Sequence, residues 1–67
     1  MITKEDVLQV AKSIDKTITD KQAERILDEY PAWMEQDVTA TWDLVVEDLI
    51  YFVLFDEMEE KNNYEKI

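Results

Sequence analysis

Leu49-Ile50-Tyr51-Phe52-Val53-Leu54-Phe55 is the longest uncharged apolar run in this chain, and its reading decides the fold. Taken alone it has high strand propensity and would be an aggregation hazard. Its neighbours decide otherwise. Upstream, Trp42, Val45, Val46 and Leu49 recur at helical spacing and carry the period into the run. A solitary strand would find no partner among segments that all read as helices, and a lone strand is not stable. The run is therefore the middle of a long third helix. At seven residues it also falls far short of the roughly 20 that a membrane span requires.

Working back from that helix, two earlier ones start with the same grammar. Ile2-Thr3-Lys4-Glu5-Asp6-Val7 places Thr3 as N-cap, acids in the first turn, and Ile2 opposite Val7 as a hydrophobic staple. Ile18-Thr19-Asp20-Lys21-Gln22-Ala23 repeats it, with Thr19 as N-cap and Gln22 at the capping-box position. Val7, Val10, Ala11 and Ile14 then share one helical face, as do Ala23, Ile26, Leu27 and Tyr30. The short link Asp15-Lys16-Thr17-Ile18 makes the pair a helical hairpin. The chain has no glycine, so any left-handed residue closing a helix has to be Asp, Asn or Lys. Pro31 disfavours helical backbone at Tyr30 and should end or kink the second helix there. The expected architecture is all-α, a single three-helix domain: helices at about Lys4–Ile14, Asp20–Tyr30 and Thr39–Glu60. An apolar connector, Ala32–Asp37, joins the last two, Asp37, Thr39 or Thr41 caps the third helix, and residues 61–67 form a frayed tail from which Tyr64 and Ile67 could dock.

The third helix carries two apolar faces. Trp42, Val45, Val46, Leu49, Phe52 and Val53 cluster on one side and should cover the hairpin. Within that set Trp42, Val46, Leu49 and Val53 are expected to bury against Val7, Ala11, Ile14, Ile26, Leu27 and Tyr30. Leu44, Tyr51, Phe55 and Met58 line up on the opposite side at intervals of seven, four and three, with Leu54 beside them and Glu47 and Asp48 flanking. A peripheral helix needs one apolar face, so the second has to be covered. Either the Trp33-Met34 connector and the tail fold over it, or it is a contact surface for a second copy or a foreign protein. Leu44, Tyr51, Leu54, Phe55 and Met58 are the candidate interface.

The charge is segregated as well. The formal net charge is -10, and residues 31 to 60 hold nine acids and no base. Asp56, Glu57, Glu59 and Glu60 lie near the C-terminal end of the third helix, where negative charge opposes the helix dipole. One reading is that the acids only solvate an apolar helix. The sharper one is an acidic docking face, formed by Glu47, Asp48, Asp56, Glu57, Glu59 and Glu60, for a partner with a basic surface. Its extreme form is an inhibitor that imitates nucleic acid and occupies the groove of a DNA- or RNA-binding protein.

Composition removes most chemistry. With no cysteine and no histidine, disulfides, thiolate or imidazole metal sites and Cys-His or Ser-His nucleophile systems are impossible. A calcium loop beginning at Asp15 lacks its turn glycine and would need its closing glutamate where Ile26 stands. Lys21 and Arg25 on the second helix are outweighed by Asp20, Glu24, Asp28 and Glu29, which argues against a DNA-reading helix. No catalytic, cofactor-binding or metal-binding residue is expected, nor direct contact with nucleic acid or membrane. The charged N-terminal segment lacks a signal-peptide core, which makes the cytoplasm the default location. The function class that remains is a small acidic, non-enzymatic protein-interaction module that self-associates through its third helix or meets an unidentified protein with a basic or apolar surface.

The run Ala40-Thr41-Trp42-Asp43-Leu44-Val45-Val46-Glu47-Asp48-Leu49-Ile50-Tyr51, together with Glu35-Gln36-Asp37 and the segment Thr19 to Leu27, resembles short acidic helical proteins of gut bacteria and their mobile elements. The resemblance covers about half the chain and implies a small stand-alone protein. It carries no catalytic signature and no assigned activity.

Overall fold

The computed structural model describes the backbone of residues 2–36 and 38–65 and the side chains of residues 2–36 and 38–58. It contains three helices, α1 (Lys4–Ser13), α2 (Asp20–Gln36) and α3 (Trp42–Glu65), with no strand among the described residues. α1 and α2 form the hairpin, and α3 packs against both, chiefly against α2.

Local chemistry sets the helix starts. The Thr3 hydroxyl accepts from the Asp6 backbone N–H at 3.3 Å, and the Asp6 carboxylate accepts from the Thr3 N–H at 2.9 Å. At α2 the Thr19 hydroxyl accepts from the Gln22 N–H at 3.1 Å, and the Gln22 side-chain oxygen accepts from the Thr19 N–H at 2.8 Å. Each reciprocal box satisfies two donors that a helix start otherwise leaves orphaned, and losing the cap costs about 0.5–2 kcal/mol. The end of α1 is closed without glycine. Asp15 takes φ 60°, and the N–H groups of Asp15 and Lys16 donate to the carbonyls of Lys12 (3.1 Å) and Ala11 (2.8 Å). This is the Schellman closure, with aspartate in the left-handed position.

The second helix departs from expectation. α2 does not stop at Tyr30 but continues through Pro31 to Gln36, absorbing most of the expected connector. Pro31 has no N–H for the Leu27 carbonyl, and an interior proline costs up to about 3 kcal/mol. The cost is offset by packing. Ile26, Leu27, Tyr30, Trp33 and Met34 form one continuous stripe at helical spacing, and the last four pack, half-buried, against the core that contains Ile26. Pro31 itself faces outward. The Trp33 ring lies 5.2 Å from that of Phe52 at a tilt of 58°, which ties the post-proline turn to α3.

α3 begins later than expected, at Trp42. Thr41 is its cap: the Thr41 carbonyl accepts from the Val45 N–H at 3.2 Å, and the Thr41 hydroxyl donates to the Asp43 carboxylate. The capping role considered for Asp37 lies outside the described residues. α3 runs on to Glu65, beyond the expected end near Glu60. Any docking of the Tyr64 and Ile67 side chains lies outside the described residues.

The core is formed by Val7, Val10 and Ala11 of α1, Ile18 of the link, Ala23 and Ile26 of α2, and Val45, Val46, Leu49, Ile50 and Val53 of α3. Val46, Leu49 and Val53 are fully buried, and Ile14, Leu27 and Tyr30 pack half-buried around them. Trp42 corrects the expectation of burial: it is 43% exposed, because it is the first residue of α3 and burial along that helix begins only at Val45. Ile50, which belongs to neither of the two apolar stripes, is fully buried. Its signal was present, since Val46, Ile50 and Val53 are spaced by four and three.

Candidate interaction surface

On the side of α3 away from the hairpin, Leu44 (51% exposed), Tyr51 (47%), Phe55 (57%) and Met58 (60%) form a solvent-facing row. The helical period puts them there: at 100° per residue, Tyr51, Phe55 and Met58 each fall within about 40° of Leu44, an arc of about 60° around the helix. Among the described residues of the apolar connector, Trp33 and Met34 pack against the core and leave the row uncovered. Leu54, expected beside this row, instead packs half-buried against the core. At roughly 200 Å² per large apolar side chain, the four half-exposed residues present on the order of 400 Å², the size of patch that on a monomer is often functional.

Polar groups border the row. Asp48 is exposed and Glu47 half-buried. The ammonium of Lys16, on the α1–α2 link, sits 5.7 Å from the centre of the Tyr51 ring. Such a contact is worth about 0.5–1 kcal/mol at an exposed site. It holds one edge of the row to the hairpin while leaving nearly half of Tyr51 open.

The acids near the end of α3 are arranged differently. Asp56 accepts from the Arg25 guanidinium at 2.8 Å, and Glu57 lies 3.9 Å from another nitrogen of the same group. The Gln22 amide donates to Glu57 at 2.9 Å, and Arg25 also bonds Glu29 one turn along α2 at 3.2 Å. The hydrogen bond to Asp56 is the foremost cause holding the Arg25 guanidinium above its ordinary pKa. Burial opposes the rise, and the Glu29 hydrogen bond adds to it. The Arg25 guanidinium also lies over the Phe52 ring, at 5.8 Å. Asp56 and Glu57 thus join α2 to α3, with about two-fifths of each side chain still exposed. Arg25 is the only arginine of the chain, and Asp56 and Glu57 lie 31 and 32 residues from it in sequence, beyond the reach of any periodic pattern. The side chains of Glu59 and Glu60, the other acids expected there, lie outside the described residues.

Three further apolar side chains are exposed outside the row: Val38, Trp42 and Phe52, the last against the expectation that it would cover the hairpin. A shallow depression beside the α1–α2 link is lined by Leu8, Ala11, Lys12, Asp15, Lys16, Thr17 and Ile18. Among the described residues no polar or charged side chain is buried, and no three acids gather where they could hold a metal ion. No described helix is long and apolar enough to cross a membrane. Comparison with protein-family models, with curated proteins and with solved structures finds no match for this chain.

Proposed function

We propose that this chain is a small, non-enzymatic protein-interaction module of the cytoplasm that docks through the outer face of α3. One observation carries the reading. Four large apolar side chains, Leu44, Tyr51, Phe55 and Met58, stand about half exposed in register on a helix whose opposite face is already filled by its own core. Exposed apolar surface of this size costs solubility unless something covers it. The cysteine-free composition suits a reducing compartment.

The test places a photo-crosslinking phenylalanine analogue at position 55 and, as a control, at the exposed Gln9 of α1. Illumination in living cells should give discrete adducts from position 55 and none from position 9. The adduct mass separates a second copy of the chain from a different protein. No adduct at position 55, or equal adducts from both positions, would remove the basis for the reading.

A further inference from the structure

Resting on the reading of α3 as a docking face, the arrangement of the row narrows what can dock. Leu44, Asp48, Tyr51, Phe55 and Met58 are spaced by four, three, four and three residues, the spacing of a coiled-coil seam. Four of the five positions are apolar and exposed. The fifth, between Leu44 and Tyr51, is Asp48, which is also exposed. Glu47 flanks the seam, and among the described residues neither acid takes part in an ion pair.

We propose that the occupant of this seam is a basic amphipathic helix of another protein, with an apolar heptad face, Lys or Arg along its flanks, and a cation opposite Asp48. Charge complementarity selects it. The exposed apolar area, on the order of 400 Å², is about half of what one partner contributes to a standard interface, so apolar burial alone makes a weak contact. A cationic partner adds electrostatic steering and answers Asp48. A second copy adds no steering, and the cation it brings to the row, Lys16, is already held over its own Tyr51 ring. Each copy brings a net charge of -10, with no base between residues 31 and 60. In a parallel pair Asp48 would face Asp48 across the seam. In an antiparallel pair centred on Tyr51 it would face Phe55, a carboxylate pressed against an aromatic ring without a partner. A polar residue at one seam position sets register and partner choice in coiled coils, and Asp48 is placed to do so here.

The test uses the full chain and three fluorescein-labelled synthetic peptides, each roughly three heptads long. The first has leucine at the seam positions and lysine at the flanks, the second replaces lysine with glutamate, and the third reorders the first so that its leucines no longer share a face. By fluorescence anisotropy, the first peptide should bind. Its affinity should fall about tenfold between roughly 0.05 and 0.3 M salt as screening tightens. The second and third should bind at least about tenfold more weakly. Tyr51→Ser with Phe55→Ser should remove binding of the first peptide while leaving the melting transition in place, since both side chains are exposed. Equal binding of the reordered peptide would reduce the effect to bulk charge and overturn the proposal, as would equal binding of the glutamate peptide. Sedimentation of the unmodified chain as a dimer in low salt would overturn it too. Crosslinking from position 55 keeps the two claims apart. Adducts made only with a second copy sink the basic helix and leave the docking face standing, whereas no adduct sinks both.

Discussion

Replacing Pro31 with alanine tests whether packing beyond the proline holds the last turns of α2. Pro31 sits well inside a 17-residue helix, with its side chain facing solvent. Alanine therefore removes no buried contact, supplies the missing N–H for the Leu27 carbonyl and relieves the ring's clash with that turn. The host–guest difference between proline and alanine in a helix interior is about 3 kcal/mol, an upper limit here because the turn has already relaxed around the ring. The loss of proline's rigidity in the unfolded chain subtracts about 0.4–1 kcal/mol. A net gain of about 1–2 kcal/mol follows, which at about 4–8 °C per kcal/mol for a domain this small is a rise in Tm of roughly 5–15 °C. Circular dichroism during thermal and urea unfolding reads both stability and helix content. The companion variant Trp33→Ala with Met34→Ala removes the anchors. In that background α2 should retreat toward Tyr30 with a loss of helical signal, and adding Pro31→Ala should restore it. An unchanged or lower Tm for Pro31→Ala alone would refute the reasoning, because it would mean that the geometry imposed by the proline is what delivers Trp33 and Met34 to the core.

Leu49 is fully buried at the centre of the core, so Leu49→Ala should cost about 2–5 kcal/mol. That is comparable with the whole stability of so small a domain, and urea titration should find it largely unfolded. The Arg25–Asp56 pair is about two-fifths exposed, so a double-mutant cycle with Arg25→Met and Asp56→Asn should return a coupling of only about 0.2–1 kcal/mol, shrinking with salt. Asp43 is held below its ordinary pKa of 3.8, first by the hydrogen bond from Thr41, with backbone N–H groups helping and desolvation opposing. A carboxylate with a depressed folded pKa contributes stability that is complete above its unfolded value and is lost as the pH falls through the folded one. Thr41→Val should therefore lower stability at neutral pH and flatten its fall below about pH 4, as followed by thermal melts across the acid range.

What the sequence determined by itself is what short-range chemistry controls. The Thr3 and Thr19 caps, the helix starts they set, and the need for a residue other than glycine to close a helix all depend on groups within a few residues of one another. Helical period alone also made the candidate surface legible. Leu44, Tyr51, Phe55 and Met58 share a side because of their spacing, and that side lies opposite the core whatever packs there. Tertiary structure decided the rest. Whether α2 stops at Pro31 depends on whether the residues beyond it find a core to join, and Trp33 finds the ring of Phe52, which no local preference encodes. Trp42 is exposed against expectation because exposure depends on where along α3 the hairpin begins and ends, as well as on angle around its axis. Asp56 and Glu57 became partners of Arg25 only once two helices were brought side by side, since an ion pair formed across such a separation leaves no periodic trace in the chain.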